Sequence, residues 1–219
     1  MVSGELLLRW NQRSEPGLYI DLLGGYRYFR LGEAMRIREQ LVSVDPGGIV
    51  PWGTEFDLED HFSTENDFHG GQLGVAAEWY ADSMSLELSA KVALGNLRRR
   101  WRVSGETTGQ IPGAEPVTTP GGLLALPSNI GAWSESRFAV LPEFGVNGTF
   151  LLTERLSFVC GYSILLLNDV ARTGDQIDRV INTSQIGGTP LEGAPRPAIR
   201  RRGSDFWAQG LNLGLDYRW

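Results

Sequence analysis

The sequence predicts an all-β fold, an antiparallel β-barrel that crosses a lipid bilayer, and three observations carry that expectation. First, from Gly210 onward the residue character alternates at every step. Leu211, Leu213, Leu215, Tyr217 and Trp219 share one face, and Gly210, Asn212, Gly214, Asp216 and Arg218 the other. A period of two belongs to a strand with one apolar and one wet surface. Second, on neighbouring strands the apolar face changes sides at one height. Third, short and long connections alternate strictly along the chain.

Composition sets the bounds. A chain of 219 residues suits one β domain, here residues 1–219 taken as a single barrel domain. Mean hydropathy is −0.17, and no run approaches the ~20 consecutive apolar residues of a transmembrane helix. Barrel strands hide a lipid face by alternation, so this leaves a membrane open. Gly 28 and Pro 11 suit many turns and a tight interior. The single Cys160 excludes an internal disulfide framework and cannot by itself make a metal site. A formal charge of −6 and a pI near 5.0 argue against nucleic acid as a partner. The start, MVSGELLLRW, lacks the charged head and apolar core of a signal peptide. Either a signal has been removed or the chain begins inside a longer protein.

In chain order, Glu5 to Trp10 reads as the end of a strand and Asn11 to Gly17 as a short turn. Leu18 opens a long strand with Leu18, Ile20, Leu22, Tyr26 and Tyr28 on one face and Asp21 and Arg27 on the other. From Arg30 the phase inverts: Arg30, Arg36, Arg38 and Gln40 occupy the formerly apolar face, and Leu31, Met35 and Ile37 the other. The next hairpin does the same on both arms. Leu73, Val75, Ala77 and Trp79 alternate with Gln72, Gly74, Ala76 and Glu78; Met84, Leu86, Leu88, Ala90, Val92 and Leu94 alternate with Ser85, Glu87, Ser89, Lys91 and Ala93. A two-residue loop at Asp82-Ser83 fixes the register, with Trp79 opposite Leu86 and Val75 opposite Ala90. Extended upward, that register sets Asp67 opposite Arg98, Glu65 opposite Arg100 and Phe62 opposite Val103, as cross-strand pairing favours. The inversion therefore needs no bulge. One face meets oil below and water above, and the apolar-outward segments 18–29, 71–80 and 84–95 match the ~9–11 residues of a bilayer-crossing strand.

Residues 105–133 read as a Pro/Gly/Thr-rich loop. Phe138, Val140, Phe144, Val146 and Phe150 form another lipid face backed by Arg137, Glu143, Asn147 and Thr149. A turn at Thr153–Arg155 leads to Leu156, Phe158, Cys160, Tyr162, Ile164 and Leu166, with Cys160 facing lipid. A second long loop runs from Asn168 to about Ser204 before the terminal strand. The count is about seven strands, the first and last running the same way. Closure then needs an upward strand missing from the N-terminus, or a homo-oligomer.

The spacing Asn212-x-Gly214-x-x-Tyr217-x-Trp219 resembles the terminal strand signal by which bacterial outer-membrane barrels are recognised by the barrel-assembly machinery. In such barrels the short turns are periplasmic and the long loops external. Trp10, Tyr19, Trp79, Tyr80, Phe150, Tyr217 and Trp219 all lie at the short-turn end, as an interfacial aromatic girdle would. GYRYFRL (25–31), GDQIDRVIN (174–182) and SDFWAQGLNLGLDYRW (204–219) together resemble the planctomycete-type family of outer-membrane β-barrel porins, the seventh family so described. The resemblance covers nearly the whole chain and fits its C-terminal portion. It implies a barrel in the bacterial outer membrane, surrounded by outer-membrane lipids, with no established substrate, cofactor or catalytic residues.

Candidate chemistry is sparse. His61 and His69 lie among Asp57, Glu59, Asp60, Glu65 and Asp67, which suggests a metal site or an Asp/His hydrolytic pair. Eight residues along a strand separate them by ~26 Å, too far to share an ion, and parity puts both on the solvated outer face. The runs LRRRWR (97–102) and IRRR (199–202) read as outer-rim cations, facing lipid phosphates or pairing with the acidic strand. The lumen candidates are Asp21, Arg27, Gln72, Glu78, Glu87, Lys91, Arg137, Glu143, Asn147, Asp216 and Arg218. Charges of both signs fit a hydrated channel passing small hydrophilic solutes by diffusion. They fit equally a narrow, salt-bridged lumen in a structural or surface-contact barrel. Neither reading involves an enzyme, a metal or a cofactor.

Overall fold

The computed structural model describes residues 1–188 and 190–219, without the side chains of residues 12–14 and 187–188. The strands are β1 (Val2–Glu15), β2 (Leu18–Val42), β3 (Glu55–Ala81), β4 (Met84–Gln110), β5 (Val117–Pro120), β6 (Gly131–Leu151), β7 (Leu156–Ala171) and β8 (Gly203–Tyr217). They form one antiparallel sheet in the order β1-β2-β3-β4-β6-β7-β8, with β5 added to the far end of β4. Sequential pairing follows from the turns: Asp82-Ser83 and Pro16-Gly17 are two-residue connections, and Gly17 takes φ 82°, which a side chain would resist.

The sheet curls. The rings of Phe29 on β2 and Phe206 on β8 stand 5.9 Å apart, although four strands separate them in the sheet order. Among the described residues β1 and β8 share no ladder, so the sheet is open there. Both run in the same direction, so an antiparallel ladder cannot join them.

The β3–β4 ladder runs without a break from Ala81↔Met84 to Glu55↔Gln110, and sets Asp67 against Arg98, Glu65 against Arg100 and Phe62 against Val103. The face inversion is thus achieved on unbroken strands. Below the inversion the apolar residues are on the convex face and open to the surroundings, with Leu73 67% and Leu213 64% exposed. From that height upward, Phe29, Phe62, Phe68 and Leu97 are on the concave face and fully buried.

Several elements differ from the sequence reading. The described residues form eight strands, because β5 forms inside the segment read as a loop, into which β4 also continues as far as Gln110. Thr107 and Thr108 pair Thr119 and Thr118, with the Thr108 and Thr118 hydroxyls 2.8 Å apart, so β-branched pairs outweigh the surrounding Pro and Gly. The 11–17 turn contracts to Pro16-Gly17, and β1 carries on through a register shift between Asn11 and Arg13. Tyr19 and Tyr80 lie on the concave side, in an edge-to-face pair at 5.3 Å, and so are not part of a convex aromatic belt. Trp10, Trp79, Phe150 and Tyr217 are convex.

Candidate functional site

The concave face carries the chain's unusual chemistry, because alternation that turns every second residue outward turns the polar remainder inward. It is built in layers. Nearest the short turns, Arg9 of β1 reaches Asp21 of β2 at 3.4 Å and Glu87 of β4 at 2.8 Å. Asn147 of β6 donates to Glu87 at 3.3 Å, and Asn11 to Asp21 at 2.9 Å.

The next layer is a closed charge cluster. Arg27 Nη1 meets Glu5 at 2.9 Å and Arg27 Nη2 meets Glu143 at 2.6 Å. Lys91 meets the same two carboxylates at 2.9 and 2.7 Å, and Gln72 donates to Glu5 at 3.1 Å. Two cations and two anions balance, as ions withdrawn from water must. The cluster ties β1, β2, β3, β4 and β6 together across the concavity.

Above it the interior is dry. Phe29, Phe68, Ala93, Leu97, Ala139, Leu141, Leu167 and Val170 form one cluster, and Leu165 and Phe206 pack against it. Five strands contribute these side chains, so the layer spans the concavity.

The chain leaving β7 then crosses the interior. Asn66 on β3 clasps it from both sides, donating to the Ala171 carbonyl at 2.9 Å and accepting from the Ala171 N–H at 2.7 Å. Thr64 and Thr173 hydroxyls meet at 3.0 Å, and Glu33 accepts from the Thr173 N–H at 3.1 Å. Fully buried Arg99 binds the Asp169 carboxylate at 2.7 Å and its carbonyl at 2.8 Å, pairs with Glu135, and stands over the Trp101 ring. Burial would raise the Glu135 carboxyl, but the hydrogen bond and charge of Arg99, with Arg137, outweigh it and hold the group below its ordinary range.

Two buried aspartates fix the outer loops. Asp60 accepts from the N–H groups of Leu123, Leu124 and Ala125 at 3.2, 2.8 and 3.0 Å. Asp178 accepts from Arg196 at 2.7 Å, Arg200 at 2.9 Å, and the N–H groups of Ala198 and Val180 at 2.8 and 3.2 Å. Burial opposes its charge, but these donors and the positive charge of Arg200 win and hold it well below the carboxylate range.

Of the lumen candidates, the two lower layers gather Asp21, Arg27, Gln72, Glu87, Lys91, Glu143 and Asn147. Glu78 shares that face, opposite Glu87. Arg137 lies above the apolar layer, half exposed, bound to Glu135 and Asp169. Asp216 and Arg218 are exposed at the chain end, 3.8 Å apart and outside the charge cluster. Asn212 and Gly214 are concave, Tyr217 is convex, and Trp219 lies beyond β8. His69 contacts the Tyr26 hydroxyl at 2.5 Å, while His61 lies opposite Arg36 and Ser104, so the two histidines are in different places.

Sequence reasoning missed Glu5, Arg9, Arg99, Asp169 and Asp178, and set Asp60 among the strand's acids when it holds the 123–125 loop. Parity could have found three of them: Glu5 and Arg9 alternate with Leu6, Leu8 and Trp10, and Arg99 points opposite to Arg98 and Arg100. No local pattern marks Asp169 or Asp178, whose partners are distant in sequence.

The family model described as Putative beta barrel porin-7 matches residues 1–219. No curated protein and no solved structure matches the chain.

Proposed function

The chain belongs to the Putative beta barrel porin-7 family, and from that premise we propose that it forms the lipid-facing wall of an outer-membrane β-barrel with a closed interior. The convex band supports the membrane part of this reading. Its outward residues on β2 from Leu18 to Tyr28, β3 from Trp79 to Gly71, β4 from Met84 to Leu94 and β6 from Phe150 to Phe138 include no Asp, Glu, Lys or Arg. A contiguous apolar surface of that extent needs a cover, and its height suits a bilayer. The long connections at the opposite end from the turns then face outward from the cell.

The single observation that carries the closed reading is the dry layer of Phe29, Phe68, Leu97, Leu141, Leu167 and Val170 between the charge cluster and the strap leaving β7. Hydrated ions and small solutes would have to part it. The barrel in this reading is an anchor, holding a rigid cap of loops at the outer surface, and it needs no cofactor. A second reading, diffusion of small hydrophilic solutes, is favoured by the family description and by the polar lower interior; it requires the strap to leave.

Single-channel recording of the purified protein in planar bilayers tests this. The closed reading expects a silent membrane; steady open-channel steps from unmodified protein would overturn it in favour of the porin reading.

A further inference from the structure

We propose that the convex face of β4, immediately above the apolar band, binds an anionic lipid headgroup through phosphate, with Arg98 and Arg102 as its ligands. The inference rests on the reading that the band lies in a bilayer.

The last row of the band is Tyr28, His69, Asn96 and Phe138, side by side across β2, β3, β4 and β6. The next row is Arg30, Asp67, Arg98 and Ser136, followed by Gly32, Glu65, Arg100 and Ser134, then Ala34, Ser63, Arg102 and Ala132. Headgroups meet the protein at this height. The arginines there are not equivalent. Arg30 pairs with Glu65 and Asp67, and Arg100 with the same two carboxylates. Arg98 and Arg102 are exposed and have no ion pair or hydrogen bond among the described residues. Four arginines against two carboxylates leave a surplus of two positive charges, and these two residues carry it.

Shape agrees with charge. Gly32, Ala34, Ser63, Ala132 and Ser134 project little, leaving a groove of about 660 Å³ over the strand face. Arg98 and Arg102 stand four residues apart on one strand, ~13 Å by strand rise. Arg100 between them is held by its carboxylates. The spacing suits a headgroup bearing two phosphates at its ends, one at each free guanidinium, with the acyl chains running down the apolar band. Guanidinium is the side chain best matched to phosphate, through paired N–H donors.

The test uses the full chain in detergent, titrated with a diphosphorylated disaccharide lipid, with phosphatidylcholine and with inorganic phosphate, and read by native mass spectrometry. The wild type is expected to retain the diphosphorylated lipid in preference to phosphatidylcholine. R98Q/R102Q is expected to bind it about thirtyfold more weakly, at roughly fivefold per surface cation. R36Q/R38Q, whose cations are already held by Glu59, is expected to bind like the wild type. Equal binding by wild type and R98Q/R102Q overturns the proposal. So does uptake of inorganic phosphate with no preference for the lipid, which would mark a simple anion site. Protease protection in liposomes is measured alongside: a chain that stays fully digestible refutes the membrane reading itself, whereas a protected chain with unchanged lipid binding refutes this site alone.

Discussion

The Asp67 carboxylate lies 2.8 Å from Nη2 of Arg100, although the residue directly opposite Asp67 in the sheet is Arg98. Diagonal neighbours on a twisted sheet are within reach of long side chains, and Arg30 approaches Asp67 from β2 at 3.6 Å. Register therefore fixes which residues are neighbours, while the reach of each side chain fixes which become partners.

Removing Arg100 should accordingly cost more than removing Arg98. R100A severs contacts to Glu65, a partly exposed pair worth ~0–1 kcal/mol, and to Asp67, whose carboxylate is buried beneath the arginines; R98A severs none. Equilibrium unfolding of the two variants in lipid vesicles checks the order, and equal losses would contradict the diagonal pairing.

The convex band should reject charge by depth. V75R and L88R place a cation on the lipid side and should oppose insertion by ~2–4 kcal/mol near the bilayer midplane. S89R faces the concavity between Ala76 and Gly145 and should cost far less. Folding yield into liposomes reads the difference. Equal tolerance on the two faces would mean that no bilayer surrounds the sheet.

The aromatic end of β8 should govern assembly. Changing Tyr217 and Trp219 to Ala leaves the interior untouched, since both lie outside the concave layers. The amount of heat-resistant, membrane-embedded protein should nevertheless fall if the resemblance of this stretch to the terminal strand signal of outer-membrane barrels reflects its use. Undiminished assembly would show that this stretch is no signal.

Removing buried Arg99 should be costly. R99A leaves the two carboxylates of Asp169 and Glu135 facing Arg137 alone. Losing one partner of a fully buried ion pair costs ~3–5 kcal/mol, and the partial exposure of both carboxylates puts this loss at or below the lower end. Trp101 stacks on the same guanidinium, so its fluorescence reports the change as urea is raised.

Acid should loosen the outer loops late. Asp178 titrates well below the usual carboxylate range when folded. A depressed carboxylate adds stability that is present above the unfolded pKa, ~3.9, and is lost as pH falls toward the folded value. Docking of residues 174–186 and 190–202 should therefore persist at pH 5 and weaken only in stronger acid. D178N, with no charge to hold Arg196 and Arg200, should loosen at neutral pH. Pepsin cleavage within this segment reads the first in acid and tryptic cleavage at Arg200 to Arg202 reads the second at neutral pH, and an equally resistant D178N would remove Asp178 from the account.

The sequence by itself determined the class of fold, the β3–β4 register, and the height at which the apolar face changes sides. Each is a local consequence of the chain: a period of two, a two-residue turn, and charges that cannot enter oil. It also carried the resemblance to the family, since that depends on residues in order along the chain. What the interior contains was decided only in the tertiary structure. Glu5 and Lys91 are distant in sequence, and so are Asn66 and Ala171, and alternation says only that they point inward. Whether such residues line water or meet one another depends on how tightly the sheet curls and on where the chain leaving β7 goes. Curl accumulates from small twists between strands, and the path of the strap is set by partners on β2, β3 and β4. Neither quantity resides in any short stretch, so an open channel and a filled interior read alike until the strands are assembled.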